Sequence, residues 1–92
     1  MTLLEVIRDL DSFPEESTIY SPEPWSTESE AIVEYRRDDE KLAKRALELG
    51  YAYFLEIFIA KELLEGWIPT QTSHPTLEEK TERVIHYAIF DA

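Results

Sequence analysis

The stretch Tyr51-Ala52-Tyr53-Phe54-Leu55-Glu56-Ile57-Phe58-Ile59-Ala60-Lys61-Glu62-Leu63-Leu64-Glu65-Gly66-Trp67 decides the fold. Read as one helix, it sets Tyr53, Ile57, Ala60, Leu64 and Trp67 on a single face. Its first nine residues are apolar almost all round, however, and that suits a buried strand better than an amphipathic helix. The pattern therefore predicts a strand over Tyr51–Ile57 that passes into a short helix over Phe58–Glu65, capped by Gly66. In that helix Ile59, Ala60, Leu63, Leu64 and Trp67 face inward, while Lys61, Glu62 and Glu65 face water. Glu56, Lys61 and Glu62 also interrupt the longest hydrophobic region well short of the roughly 20 apolar residues that a membrane helix needs.

Upstream, Gly50 closes a predicted helix over Asp39–Leu49 whose apolar stripe is Leu42, Ala43, Ala46, Leu47 and Leu49. Its start is acidic (Asp38, Asp39, Glu40), which suits the positive end of the helix dipole, and Glu40–Lys44 is an i,i+4 pair in the favourable order. Ala31–Tyr35 reads as a strand with Ala31, Val33 and Tyr35 on one face. Before it, Ser21-Pro22-Glu23-Pro24-Trp25-Ser26 is a stiff loop, because its two prolines exclude regular structure. Thr18-Ile19-Tyr20 is a short β-rich run. At the front, Leu3, Val6, Ile7 and Leu10 recur at helical spacing behind Thr2, a suitable N-cap, and Pro14 ends that segment.

Downstream of Pro69 a polar linker, Thr70–Pro75, leads to Thr76 and Glu79, spaced as a capping box. Leu77, Thr81, Val84, Ile85, Ala88 and Ile89 then recur at helical spacing in a final helix. The expected fold class is α+β: a small three-stranded sheet packed with three to four helices, in the order α-β-β-α-β-α-α. Residues 1–92 form one domain. The two strands flanking the Asp39–Leu49 helix are expected to be parallel neighbours through a right-handed crossover.

Charge narrows the function classes. The chain carries 20 Asp and Glu against 9 Lys and Arg, a formal net charge of −11. Met1–Glu34 holds most of the excess, with Arg8 its only base. Such a surface repels nucleic acid phosphates and anionic lipid and favours a basic protein as partner. The one basic cluster, Arg36, Arg37, Lys41, Lys44 and Arg45, is interleaved with acids and reads as internally paired. No cysteine is present, so thiolate chemistry and disulfides are excluded. The first residues lack the basic start of a secretory signal, and a cytoplasmic location is expected.

Catalytic signals are thin. There is no Gly-x-Ser-x-Gly turn and no phosphate-cradling glycine loop. His86 reads as a surface residue of the last helix and His74 as a turn residue. Glu78, Glu79 and Glu82 cluster with His74 nearby, but an acidic first helical turn explains them without a metal. The chain is therefore expected not to be an enzyme and to need no cofactor or metal. Two features remain. Glu56, on the strand reading, shares a face with Ala52, Phe54 and Phe58 as a buried carboxylate, with Arg36 or Arg37 as its partner. The stiff loop sets Tyr20 and Trp25 among Glu23, Glu28 and Glu30, a candidate binding surface for a cationic protein. In the alternative, Trp25 folds back to plug the sheet edge or a gap between helices.

Asp11-Ser12, Thr18-Ile19-Tyr20, Glu23-Pro24-Trp25, Tyr53-Phe54-Leu55-Glu56, Phe58-Ile59-Ala60-Lys61-Glu62 and Glu65-Gly66-Trp67 together resemble stretches of a group of small uncharacterised bacterial proteins of cyanobacterial type. The resemblance spans most of the chain, implies a stand-alone small protein, and transfers no site. The expected function is a small acidic protein-binding module, an antitoxin- or immunity-like inhibitor of a cationic protein. The alternatives are a DNA-mimic protein and a structural subunit of a larger assembly. Oligomeric state is left open, a homodimer included.

Overall fold

The structure, a computed structural model, describes residues 1–34, 45, 46 and 48–92. Helix α1 (Leu3–Arg8) starts at a capping box: the Glu5 amide donates to Thr2 Oγ1 at 3.2 Å, and the Thr2 amide to the Glu5 carboxylate at 2.8 Å. A 3-10 turn, Leu10–Ser12, follows, and Phe13, which precedes Pro14, is extended as a pre-proline residue should be. Strands β1 (Thr18–Ser21), β2 (Ile32–Glu34) and β3 (Ala52–Glu56) make the sheet, and α2 (Ile57–Trp67) leaves β3 directly. A second 3-10 turn, Ile68–Thr70, precedes α3 (Leu77–Phe90). Arg45, Ala46 and Glu48 are helical between β2 and β3, so the order is α-β-β-α-β-α-α and the fold is α+β.

The sheet order is β2-β1-β3, antiparallel throughout. This corrects the expectation that β2 and β3 are parallel neighbours: they run in the same direction, but β1 lies between them. The arrangement gives both short outer strands an antiparallel ladder, the slightly stronger pairing per residue, and leaves the strand with the most buried side chains in the middle. The β1–β3 register shifts between Ile19 and Tyr20: Ile19 faces Leu55 and Tyr20 faces Tyr53, so Phe54 is an inserted residue. At this bulge Phe54 and Leu55 are both buried, which breaks the two-residue alternation, and Tyr53 turns to solvent.

One core holds the layers together. Leu3, Val6 and Ile7 of α1, Ile19 of β1, Phe54 and Leu55 of β3, Ile57, Ala60 and Leu64 of α2, and Val84 and Ile85 of α3 are all buried in it. Helix α2 has no side-chain cap; instead the Ile57 amide donates to the Ser17 carbonyl at 2.9 Å and the Phe58 amide to the Glu15 carbonyl at 3.2 Å. Loop 15–17 thus satisfies the exposed amides of the helix start. Gly66 does not cap this helix, a second correction. It is a helical residue followed by Trp67, and Trp67 and Ile68 pack on the core and carry the helix past the glycine.

Gly50 does end its helical segment, at φ 74°, with the Tyr51 amide bonded to the Ala46 carbonyl at 2.8 Å. That is the six-to-one bond of a Schellman motif. Ala46 is buried as expected, but Leu49 is half exposed. Tyr35, the predicted helix start at Asp39, the Glu40–Lys44 pair, and Leu42, Ala43 and Leu47 lie outside the described residues. Helix α3 repeats the capping box, with Thr76 and Glu79 at 3.1 and 2.9 Å. The hydrogen bonds from Thr2 and Thr76 hold the Glu5 and Glu79 carboxyls below the ordinary carboxylate value.

Candidate protein-binding surfaces

The loop after β1 is fastened at both ends. The buried Ser21 hydroxyl donates to the Glu30 carbonyl at 2.6 Å, and the amides of Leu3 and Leu4 donate to the carbonyls of Ser29 and Thr27. Within it, the Ser26 amide donates to Ser29 Oγ at 2.8 Å. The sequence-predicted loop residues separate by polarity. Glu23, Glu28 and Glu30 are exposed, and Glu30 lies 3.5 Å from the Met1 amino group. Tyr20 is half-buried in β1.

Trp25 folds back on the core rather than standing out as a platform. Its indole N–H donates to the Ser21 carbonyl at 3.0 Å, and its ring meets Phe54 edge-on, with centroids 4.9 Å apart at 88°. The indole nevertheless stays half-buried, because one side walls a concavity of about 470 Å³ lined by Glu23, Pro24, Trp25, Ala88 and Ile89. Ile89, expected on the inward stripe of the last helix, is 54 % exposed, since α3 runs beyond the core that it covers.

Glu56 is half-buried, not buried. The bulge at Phe54 undoes the face it was expected to share with Phe54. Phe58, the other expected neighbour, belongs to α2 and is 39 % exposed. Glu56 instead stands opposite Thr18 at the junction of β3 and α2. The partners expected for it, Arg36 and Arg37, lie outside the described residues.

At that junction a basin of about 620 Å³ gathers five carboxylates, Glu15, Glu16, Glu56, Glu62 and Glu65, around Phe58 and Lys61. The loop that caps α2 through its carbonyls therefore also delivers Glu15 and Glu16 to the basin wall. Lys61 Nζ lies 3.9 Å from Asp11 and 4.0 Å from Glu15, so the single lysine is itself drawn toward acids. An exposed aromatic face among anions suits a guanidinium or ammonium group, which can stack on the ring and pair with a carboxylate. Sequence reading placed Lys61, Glu62 and Glu65 in water; Glu62 and Glu65 are exposed, but Lys61 is half-buried beside Asp11 and Glu15, and the basin was missed. Phe58, Glu62 and Glu65 are spaced to share one side of α2, which is a readable signal; Glu15 and Glu16 join only through the fold.

The remaining candidates sit at the surface. His74 and His86 are exposed, the His86 Nδ1 lies 3.1 Å from the Ala92 carbonyl oxygen, and its ring tilts over Phe90. Among the described residues no group of three or more His, Cys, Asp or Glu is arranged to hold a metal ion. Arg45, the member of the basic cluster within the described residues, pairs with Glu34. No helix among the described residues is long and apolar enough to cross a membrane. Comparison with protein families, with curated proteins and with solved structures returned no match.

Proposed function

We propose that this chain is a small acidic module that binds a basic protein, acting in the manner of an antitoxin or immunity protein and by occupancy rather than catalysis. The carrying observation is the basin at the β3–α2 junction, where five carboxylates surround the exposed ring of Phe58. Its walls belong to a helix and to a loop hydrogen-bonded to that helix, so the anionic groups are displayed with little ordering cost. The formal charge of −11 extends the attraction beyond contact range and speeds encounter with a cationic surface. The setting proposed is the bacterial cytoplasm, in line with the resemblance to small bacterial proteins.

Affinity capture from native cells at low and high salt tests this reading, with Glu62→Lys/Glu65→Lys as the paired variant. Both positions are exposed, so the variant should fold. The expected result is a basic protein retained at low salt, released at high salt and lost to the variant. Partners that are neutral or acidic, held equally at both salts and by the variant, would overturn it.

A further inference from the structure

We infer that the groove between the Pro24–Trp25 corner and the end of α3 seats an apolar side chain carried by a lysine- or arginine-rich segment of another protein. This rests on the basic-partner reading above and assigns that partner a second contact, away from the basin.

The groove floor is apolar and already formed. Trp25 is pinned by its hydrogen bond to Ser21 and its edge contact with Phe54, so an incoming side chain meets a wall that needs no ordering. On the opposite wall stand Ala88 and Ile89, and Ile89 is 54 % exposed. A bulky apolar side chain left in water across from a half-buried indole marks a contact surface more than a solvated helix end.

The charge around the groove selects the occupant. Glu23 stands at its rim, and Glu28, exposed in the same loop, adds a second carboxylate to that loop. Glu82, exposed two helical turns before Ile89, lies on the same stripe of α3. Arg83, the cation beside it in sequence, is turned to the Ala92 carbonyl oxygen at 3.2 Å. A second copy of this chain would bring the same anionic rim and a further −11 against it. A segment with an apolar anchor between cationic residues matches both the floor and the rim.

Titration of the full chain with synthetic peptides, followed by amide and indole resonances, tests the assignment. The probes are a lysine-flanked dileucine peptide, a glutamate-flanked counterpart, and a lysine-flanked diglycine peptide. The first should move the Trp25 indole N–H and the Ala88 and Ile89 amides saturably, while the other two leave them in place. Ile89→Ser, at an exposed position, should weaken that binding about tenfold, and Glu23→Lys should weaken it further. Shifts confined to the basin residues overturn the groove and leave the basic-partner reading standing. Failure of both lysine peptides to bind anywhere removes both. Equal binding by the diglycine peptide overturns the apolar anchor, and concentration-dependent shifts at Trp25 and Ile89 without peptide would make a second copy the occupant.

Discussion

Thr2 and Thr76 do the same work at the starts of α1 and α3. Each hydroxyl accepts from an amide that the helix cannot satisfy, and the carboxylate of a glutamate three residues on accepts in turn from the threonine amide. Thr76→Ala should therefore cost about 1 kcal/mol in urea unfolding. The reciprocal carboxylate carries a pH signature. Glu79 titrates below its ordinary value of 4.5 in the folded chain because the Thr76 amide favours its charged form. A depressed folded value means that the contribution is complete above the unfolded value and is lost as pH falls through the folded one. Stability curves of the wild type and Glu79→Gln should thus differ at neutral pH and converge in acid. A gap that persists unchanged in acid would show that the bond contributes through shape alone. The Thr76–Glu79 box is legible in the sequence as a local pattern of four residues, whereas at the front sequence reading finds only Thr2, as an N-cap, and not the part of Glu5.

At the scale of elements, the two glycines make opposite predictions. Gly50 holds φ at 74°, and nothing stands within 4 Å of an added Cβ, so Gly50→Ala is opposed by backbone conformation alone. It should lose roughly 1–2 kcal/mol. Gly66 also has open space around it but sits in helical conformation inside α2, where Gly66→Ala should gain about 0.5–1 kcal/mol. Thermal or urea unfolding of the two variants checks the signs. Sequence reading treated these glycines alike, as helix stops, because both follow an apolar stripe. What distinguishes them comes after: Trp67 and Ile68 find the core and continue the helix, whereas Tyr51 turns back to bond Ala46. The switch from strand to helix near Glu56 was readable to within a residue, since a segment apolar on all sides cannot remain an exposed helix face. The bulge at Phe54 was not, because it depends on register against β1.

For the molecule as a whole, the excess of acid should appear as a salt effect of known sign. Self-repulsion at −11 raises the folded state relative to the expanded chain, so moderate sodium chloride should increase the melting temperature. A decrease would mean that pairs such as Arg45–Glu34 and Lys61–Glu15 outweigh the general repulsion. Charge, size and fold class could be read from the chain because they are sums or local patterns. The strand order and the basin could not. Glu15 and Glu16 reach Phe58, Glu62 and Glu65 only because loop 15–17 lends its carbonyls to α2, and no spacing along the chain encodes that meeting.

The central position of β1 also orders events during synthesis. Of its two neighbours, β2 follows it closely in the chain, whereas β3 is translated only after a longer intervening segment. Until then Thr18–Ser21 has an open edge, and the nascent chain must hold that edge unpaired or lend it to another molecule. Ribosome-stalled fragments in which Ala52–Glu56 has not left the exit tunnel should accordingly recruit chaperones, and those in which β3 and α2 have both emerged should release them.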